Sequence, residues 1–322
     1  MDKTKIKKEY QKKIKNLIKL NKHYYELSKP IVEDQIYDQI KSEIISLEKK
    51  YEFLKSEESP SRKVGYRPSK TFKKVPHKVS MLSLSNAFSE EDLINFEKKI
   101  INFLDKDSSF KIEYSAEPKI DGISASLTYK KGKFVMGLSR GDGKEGEDIT
   151  QNLKTIDDIP KEILIKDFPT DIDVRGEVFI GNKDFEKIKD KFANPRNAAS
   201  GSLRQKNPID TKKIPLKFIA YTFGHEKGMK VQKQNEYLLK LTGWGFKTNP
   251  FNKTIKGIQN LMNNYYEIEK KRNEIDFDID GIVYKINDFN LQKRLGNVAN
   301  SPRWAIAHKF SANKGVSKIL NI

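Results

Sequence analysis

A lysine between two acidic residues marks the segment Glu117-Pro118-Lys119-Ile120-Asp121-Gly122 as a candidate for chemistry. Lysine acts as a nucleophile when neighbouring cations or the loss of water favour its uncharged amine. The glycine that closes the segment lets a ligand or another part of the chain approach the backbone closely. By itself the segment is more typical of an Asp-Gly hairpin turn with solvated charges than of a reactive site. Its chemistry therefore depends on the residues that accompany it.

Four further segments bring a cation or a carboxylate to a predicted strand or to its end. They are residues 139–143 with Arg140, 173–178 with Arg175 and Glu177, 280–285 with Lys285, and 304–310 with Lys309. Arg175 and Glu177 are two residues apart, so they share one face of a strand. Several strands could thus deliver charged side chains to a single pocket.

Arginine is scarce in this chain, because only nine of the 62 basic residues are Arg. Five of them lie in these segments or in stretches rich in Gly, Asn and Pro: Arg140, Arg175, Arg196, Arg204 and Arg303. A planar guanidinium binds two oxygens of a phosphate or a carboxylate, and lysine does not replace it there. We therefore expect an anion-binding pocket and, for Arg175, a structural ion pair.

The composition narrows the class of protein. The 322 residues include 62 Lys+Arg and 44 Asp+Glu, a formal net charge of +18, which favours a polyanionic partner such as nucleic acid. There is no cysteine, which excludes disulfides, thiolate zinc sites and cysteine nucleophiles. No apolar run approaches the ~20 residues of a membrane span, and the N-terminus lacks a signal-peptide core. We expect a cytoplasmic monomer without membrane association.

The first part of the chain has helical periodicity. Apolar residues three or four positions apart in residues 1–22, and again in 36–51 after Pro30, predict two amphipathic helices that form an antiparallel hairpin within residues 1–57. Residues 61–80 contain seven Lys/Arg, no acid and two prolines, which predicts an extended basic linker. That linker is either a solvated connection or a nucleic-acid contact.

Beyond residue 110 the pattern predicts strands and helices without a regular βαβ rhythm. Strands are expected at 110–115, 123–130, 134–139, 171–180, 215–223 and 279–286, with tight hairpin turns at Asp121-Gly122 and Lys131-Gly132. Helices are expected at 90–104, 184–192, 232–241 and 255–272. This order favours the α+β class, with antiparallel sheets flanked by helices.

The motifs together resemble a known family. The order K-x-D-G, R-G-D-G, V-R-G-E-V, D-G-I-V-Y-K and W-A-x-A-x-K-F resembles the nucleotidyltransferase superfamily of DNA ligases and capping enzymes. Longer strings resemble specifically the bacterial NAD-dependent DNA ligases. They are F-A-N-P-R-N-A-A at 192–199, G-S-L-R-Q at 201–205, and M-L-S-L at 81–84 before N-A-F at 86–88. The resemblance covers nearly the whole chain.

The resemblance implies a fold and a reaction. It implies a helical NAD-binding hairpin at residues 1–60 and a nucleotidyltransferase domain at 61–322. Lys119 would attack the α-phosphorus of NAD, form lysyl-AMP and release nicotinamide mononucleotide (NMN). The AMP would later pass to the 5′-phosphate of nicked double-stranded DNA, and Mg²⁺ would neutralise phosphate oxygens.

The resemblance also implies a role for each residue that matches a family motif. Glu117 and Lys285 would line the adenine side, with Asp121, Ser83 and Leu84 near the nucleotide, Glu177 on the ribose hydroxyls, and Arg140 and Lys309 on sugar and phosphate. Tyr24, Tyr25, Asp34, Tyr37 and Asp38 would bind the nicotinamide nucleotide, and Arg196 and Arg204 would face the DNA backbone.

Three points depart from the family pattern or leave it open. His308 occupies a position that is usually Phe or Tyr, a change that we expect to be tolerated. The chain ends at Ile322, where an OB-fold is expected to begin, so we expect an adenylation fragment that seals nicks poorly alone. An ATP-dependent nucleotidyltransferase would share the core motifs, and a non-catalytic nucleic-acid-binding protein would share the charge.

Overall fold

The N-terminal part of the chain is an antiparallel helical hairpin, as predicted. The computed structural model describes residues 3–21, 23, 31–32, 34–54, 59, 72–107 and 109–311. Helix α1 (Lys3–Asn21) packs against α2 (Asp34–Lys50), followed by a 3₁₀ turn at Glu52–Leu54. Partners run in opposite directions along the two helices: Tyr37 with Asn21, Lys13 with Glu43, and Tyr10 with Glu48. The amphipathic faces bury Ile6, Tyr10, Leu17, Ile44 and Leu54 in a core of their own.

The remainder mixes strands and helices. The strands are β1 (Lys74–Pro76), β2 (Ser85–Ala87), β3 (Glu113–Ile120), β4 (Ile123–Lys130), β5 (Lys133–Ser139), β6 (Glu145–Glu147), β7 (Asp171–Ile180), β8 (Leu216–Lys227), β9 (Lys253–Lys256), β10 (Ile279–Ile286), β11 (Asn297–Val298), β12 (Ser301–Pro302) and β13 (Ala305–Lys309). The helices are α3 (Glu90–Phe103), α4 (Thr150–Leu153), α5 (Asn182–Phe185), α6 (Pro195–Leu203), α7 (Pro208–Lys212), α8 (Gln234–Gly243), α9 (Ile258–Lys271) and α10 (Phe289–Leu295). In the described part of the chain, no helix combines the length and the apolar character that a bilayer span requires.

Two main sheets are formed by the described residues. The first sheet has the strand order β2-β13-β10-β3-β9 and is antiparallel except for the parallel pair β2 and β13. The second sheet has the order β5-β4-β7-β8 and is antiparallel throughout. Short pairs join β1 to β6 and β11 to β12. The α+β class with helix-flanked antiparallel sheets is confirmed.

Each main sheet buries one apolar face under helices. Tyr114, Ile282, Tyr284 and Ile306 of the first sheet pack in one core with residues of α3 and α9. Leu127, Tyr129, Val174 and Val178 of the second sheet pack in another core with residues of α4, α6 and α8. Because strand side chains alternate, the opposite faces are left for polar residues, and these faces meet across a cleft.

The connection between β3 and β4 corrects one prediction. These two strands lie in different sheets, so Asp121 and Gly122 join the first sheet to the second, and the predicted hairpin at this point is wrong. A Cβ on Gly122 would overlap the carbonyl oxygen of Val178 in β7. Glycine therefore lets the chain cross close to the second sheet. The predicted hairpin at Lys131-Gly132 is confirmed, because β4 pairs with β5.

Other element boundaries also differ from the predictions. In the basic segment 61–80, residues 61–71 lie outside the described part, but β1 pairs with β6, so its second half is not a free linker. Residues predicted to begin a helix at 255 form the edge strand β9 instead, and α9 starts at Ile258. The predicted helix 184–192 is two short pieces, α5 and a 3₁₀ turn at Lys189–Lys191.

Four helices, α4, α6, α7 and α10, were not predicted, and α6 is the longest of them. Helix α6 begins at Pro195, and the side chain of Asn194 caps it by accepting a hydrogen bond from the backbone N–H of Asn197. Asn as the N-cap and Pro in the first turn are typical signals of a helix start. The Ala, Gly and Ser residues that follow lack a wide apolar stripe, which is why periodicity did not reveal this helix.

His308 fits the position that an aromatic residue usually occupies. It lies on the face of β13 opposite Lys309, is 1% exposed, and stacks on Tyr265 with ring centroids 4.2 Å apart. Burial lowers the pKa of its imidazole to about 4, so the ring is uncharged near neutral pH.

Candidate active site

A cleft of about 750 Å³ lies between the two main sheets and is bordered by helix α2. Alternation along β3, β10 and β13 puts Glu117, Lys119, Lys285 and Lys309 on its wall. In the register of the first sheet, Gly281 pairs with Lys119 on one side and with Lys309 on the other. Because Gly281 has no side chain, the two lysines can reach the same space across β10.

The carboxylate of Asp280 joins these two lysines. The Nζ of Lys119 donates to Oδ2 at 3.0 Å, and the Nζ of Lys309 donates to the same oxygen at 2.7 Å. Burial opposes ionisation of Asp280, but the charges of Lys119 and Lys309 outweigh it and lower the pKa of the carboxyl to about 2. Asp280 therefore positions the amine of Lys119 as a stable anion and is a weak base.

A second, buried ion pair occupies another part of the cleft. The Nζ of Lys285 donates to Oε2 of Glu117 at 2.7 Å and to the backbone carbonyl of Tyr221 at 3.0 Å. It also lies 5.2 Å from the centroid of the Tyr221 ring. The two charges are satisfied by protein partners, so the side chains are held in defined orientations.

Glu177 is the carboxyl of the second sheet that faces the cleft. Its Oε2 accepts hydrogen bonds from the hydroxyls of Ser124 at 3.0 Å and Tyr221 at 3.2 Å. Burial raises the pKa of Glu177 to about 7, against the opposing charges of Lys119 and Arg196. Burial and the neighbouring Glu177 also raise the pKa of Tyr221 well above its usual range, so its hydroxyl remains a donor.

The segment that contains Ser83 and Leu84 forms a further wall of the cleft. The guanidinium of Arg140 donates to Oγ of Ser83 at 2.6 Å. Within the described residues, the guanidinium of Arg175 donates to the backbone carbonyls of Val79 and of Ser80, so the predicted ion pair of Arg175 is wrong. Arg175 instead ties the segment before Ser83 to strand β7.

The helical hairpin contributes Tyr37 and Asp38 to the cleft. Oδ2 of Asp38 lies 3.4 Å from the Nζ of Lys309, and the hydroxyl of Tyr37 donates to Asn21. Tyr24, Tyr25 and the side chain of Asp34 lie outside the described part of the chain. Two of the five predicted nicotinamide-binding residues therefore face the same cleft as Lys119.

Arg196 and Arg204, which the sequence grouped together, have different surroundings. Arg196 in the first turn of α6 lines the cleft, and its guanidinium donates to the carboxylate of Asp121. Arg204 follows α6, outside the cleft lining, and its Nε donates to buried Glu147 at 3.2 Å. Asp121 is thus paired at the edge of the cleft.

Two residues of the cleft were missed because each is the extra residue of a bulge. In β10, Ile279 and Gly281 face consecutive residues of β3, so Asp280 is inserted between them. In β8, Thr222 and Ala220 face consecutive residues of β7, so Tyr221 is inserted in the same way. A bulge re-aims a side chain that simple alternation would point to the other face. The only sequence signal for Asp280 was its position before Gly281.

The described residues contain no group of three or more Asp, Glu or His side chains arranged to hold a metal ion. Of the carboxylates that line the cleft, Asp280 is paired with two lysines, and Glu177 accepts two hydroxyl hydrogen bonds. Mg²⁺ favours phosphate oxygens and water, with one or two carboxylates, over an all-protein cage. The donor set therefore fits a magnesium ion that is bound chiefly by the phosphates of a nucleotide.

Comparison with known proteins gives a consistent result. Residues 69–313 match the model of the NAD-dependent DNA ligase adenylation domain, and residues 3–65 match that of the DNA ligase-like N-terminal NAD⁺-binding domain. The DNA ligase of Pelagibacter ubique is 68% identical over 314 residues, which are 98% of this chain and 46% of that protein. The DNA ligase of Parvibaculum lavamentivorans is 44% identical over 94% of this chain and 44% of that protein. The chain thus spans less than half the length of these relatives.

Proposed function

The chain belongs to the family of NAD-dependent DNA ligase adenylation domains, and from this premise we propose that it transfers AMP from NAD to its own Lys119. The observation that carries the proposal is the position of the Lys119 amine, 3.0 Å from Asp280, with Lys309 on the same carboxylate. This arrangement aims one amine into the cleft and keeps a second cation beside it. NAD is the substrate of this step, as the donor of AMP.

The step forms an N–P bond and breaks a P–O bond. The nitrogen of Lys119 attacks the α-phosphorus of NAD, and NMN leaves with the electron pair of the broken bond. The nitrogen must lose its surplus protons to water, because an ammonium has no lone pair with which to attack. Lys309 and Arg140 would stabilise the negative charge on the phosphate oxygens during this step.

The other cleft residues would contact different parts of the nucleotide. Glu117 and Lys285 would contact the adenine, and the Glu177 carboxylate would accept hydrogen bonds from the ribose hydroxyls. Ser83 and Leu84 would border the bound nucleotide, and the pair of Asp121 with Arg196 would close its edge. The buried contacts of Glu117 and Glu177 support these roles, because each carboxylate is held in place by protein donors.

The hairpin would bind the nicotinamide half of NAD through Tyr24, Tyr25, Asp34, Tyr37 and Asp38. A cationic nicotinamide ring is attracted by aromatic faces and by carboxylates. Tyr37 and Asp38 support this role because both line the cleft that contains Lys119, and Oδ2 of Asp38 lies 3.4 Å from the Nζ of Lys309. Magnesium ion, bound by the phosphates, would add Lewis-acid stabilisation.

Nicked double-stranded DNA would be the acceptor of the AMP. Arg196 and Arg204 would contact the DNA backbone. Arg196 lies at the edge of the cleft, where a 5′-phosphate would have to approach the lysyl-AMP, and Arg204 lies outside the cleft. The net charge of +18 supports binding to a phosphate backbone. We further propose that the chain acts as a cytoplasmic monomer.

The test is the intact mass of the protein after incubation with NAD and Mg²⁺. One added AMP is expected, with none on the Lys119→Ala variant. Equal labelling from ATP would favour the ATP-dependent nucleotidyltransferase, and no labelling from either would favour a non-catalytic nucleic-acid-binding protein. An adduct on the alanine variant would refute the assignment of Lys119.

A further inference from the structure

Gln234 lies behind the cleft wall, at the first position of helix α8, and is 1% exposed. Its Nε2 donates to Oε1 of Glu117 at 2.9 Å and to the carbonyl oxygen of Tyr221 at 2.8 Å. None of the motifs in the sequence includes it. A buried amide is usually hydrogen-bonded, and this one donates both hydrogens, one to a cleft carboxylate and one to the backbone beside it. It therefore fixes the position of the carboxylate relative to that backbone.

Gln234 and Lys285 connect the same two groups from opposite sides. Lys285 donates to Oε2 of Glu117 and also to the carbonyl of Tyr221. The two donors, the carboxylate and the carbonyl thus form a closed, buried ring of four hydrogen bonds. Ser115 adds a further bond, from its Oγ to Oε1 of Glu117 at 2.9 Å. The plane of the carboxylate is therefore held at both oxygens.

The count of lone pairs shows what remains for a ligand. Each carboxylate oxygen has two acceptor sites. Among the described residues, Oε1 of Glu117 accepts from both Gln234 and Ser115, whereas Oε2 accepts from Lys285 and keeps one site. Lys285 has three hydrogens, of which two are used. The cleft wall therefore offers one acceptor next to one donor.

Adjacent acceptor and donor sites are complementary to adenine. The exocyclic amine of adenine donates and its ring N1 accepts, whereas hypoxanthine carries an accepting oxygen and a donating N1–H at the same positions. A site built to bind one pattern leaves buried polar groups unpaired with the other pattern, which is the basis of strong discrimination. The discrimination holds only if the carboxylate cannot turn to present a different edge.

We propose that Gln234 is a positioning residue that locks the Glu117 carboxylate and thereby sets the preference for adenine over a 6-oxopurine. The inference rests on the proposed function, because it takes the bound base to be that of NAD. It adds a specificity-determining residue that does not itself touch the substrate. Loss of the Gln234 donors would free one acceptor site on Oε1 and weaken the hold on Tyr221, so base selection would decline.

The experiment measures the affinities of the full chain for AMP and for inosine monophosphate (IMP) by calorimetry, together with the rate of adduct formation from NAD. The wild type is expected to prefer AMP. Gln234→Met keeps the length of the side chain and removes both donors, so the ratio of the two affinities should fall ~10-fold. The rate of adduct formation at saturating NAD should change little, because Lys119 and Asp280 do not contact Gln234.

Gln259→Met is the matched control, because Gln259 is an exposed residue of α9 whose amide donates only to Asn263 on the same helix. It should leave the ratio unchanged. An equal loss of affinity for AMP and IMP in Gln234→Met would overturn the proposal, since a merely structural role predicts that result. If Gln234→Met does not fold, Ser115→Ala removes the other donor to the same oxygen, and an unchanged ratio there would also overturn it.

The two hypotheses fail separately. If Gln234→Met lowers the preference of the wild type for AMP but the wild type forms no adduct from NAD, the proposed function is refuted and the role of Gln234 is supported. A wild type that forms the adduct and binds AMP and IMP equally would refute the role of Gln234 alone.

Discussion

The Nζ of Lys119 lies 3.0 Å from Oδ2 of Asp280. Asp280 is the extra residue of a bulge in β10, between two residues that pair with consecutive residues of β3. The same oxygen accepts a hydrogen bond from Lys309. An insertion of one residue in a strand thus brings a carboxylate to the face on which the two lysines lie. The reactive amine is positioned by backbone geometry as much as by its own strand.

Asp280→Asn should slow the formation of the AMP adduct by ~100-fold, because misplacement of a nucleophile by about an ångström has an effect of that order. Affinity for AMP should change far less, since Asp280 is not assigned to the base or ribose. Single-turnover labelling with NAD measures the rate. Asp210→Asn is the control, because Asp210 pairs with Lys213 on the exposed surface of α7. A wild-type rate in Asp280→Asn would contradict the positioning role.

Affinity for AMP should increase as the pH rises through about 7, the pKa to which burial raises Glu177. The ionised carboxylate accepts hydrogen bonds from ribose hydroxyls, whereas the neutral carboxyl loses acceptor sites to its own proton. Glu177→Gln should bind more weakly above pH 7 and lose the pH dependence. Calorimetric titration with AMP from pH 5.5 to 8.5 checks this. A pH profile that persists in Glu177→Gln would show that another group is responsible.

The same residue should contribute less to stability at neutral pH than in acid. The pKa of Glu177 is about 7 in the folded state and near its ordinary value of 4.5 when unfolded, so the unfolded state ionises first as the pH rises. The contribution of Glu177 to stability is therefore full below pH 4.5 and falls until about pH 7, by an amount on the order of 3 kcal/mol. Glu177→Gln should remove this part of the pH dependence in denaturant unfolding. An unaltered dependence would contradict the raised pKa.

His308 should affect stability in acid with the opposite sign. Burial lowers the pKa of His308 to about 4, below the unfolded value of 6.5, so the unfolded state binds the proton first. The free energy of unfolding should decrease as the pH falls from about 6.5 to 4. His308→Phe should flatten this region and should not lower stability at pH 8, because it also removes the buried Nδ1, which has no hydrogen-bond partner among the described residues. Unfolding curves at four pH values compare the two proteins.

Asp38→Asn should weaken the use of NAD more than the binding of AMP. Asp38 on α2 lies 3.4 Å from Lys309 and is the hairpin carboxylate that reaches the core of the cleft in the described part of the chain. A ~10-fold increase in the KM for NAD corresponds to the loss of one charge-assisted contact. Gln39→Ala changes the exposed neighbour and should behave as wild type. Equal effects of Asp38→Asn on NAD and AMP would indicate that the hairpin has only a structural role.

Arg204→Ala should reduce affinity for DNA and lower the slope of log K against log salt by ~1, while the AMP adduct still forms. Arg204→Lys retains the charge and should keep most of the slope. Thermal unfolding of both variants is needed, because Arg204 also donates to buried Glu147. Salt-titrated binding to a nicked duplex is the measurement. An unchanged slope in Arg204→Ala would remove Arg204 from the DNA interface.

Much of the site could be predicted from the sequence, because its chemistry follows local rules. Alternation along a strand correctly put Arg175 and Glu177 on one face, which lines the cleft, and 3–4 spacing correctly predicted the antiparallel hairpin of α1 and α2. The scarcity of arginine drew attention to Arg140, which lines the cleft. These patterns are set by residues that are neighbours along the chain, so one sequence is enough to recognise them.

The tertiary structure alone decided where those patterns are interrupted. Asp280 and Tyr221 reach the cleft through bulges, and Asp121-Gly122 crosses between sheets where the sequence indicated a hairpin. Arg196 faces the cleft while Arg204 does not, although one helix links them. A bulge or a change of sheet depends on how a strand pairs with its neighbouring strand in the folded protein. The period of two within a single strand does not contain that information.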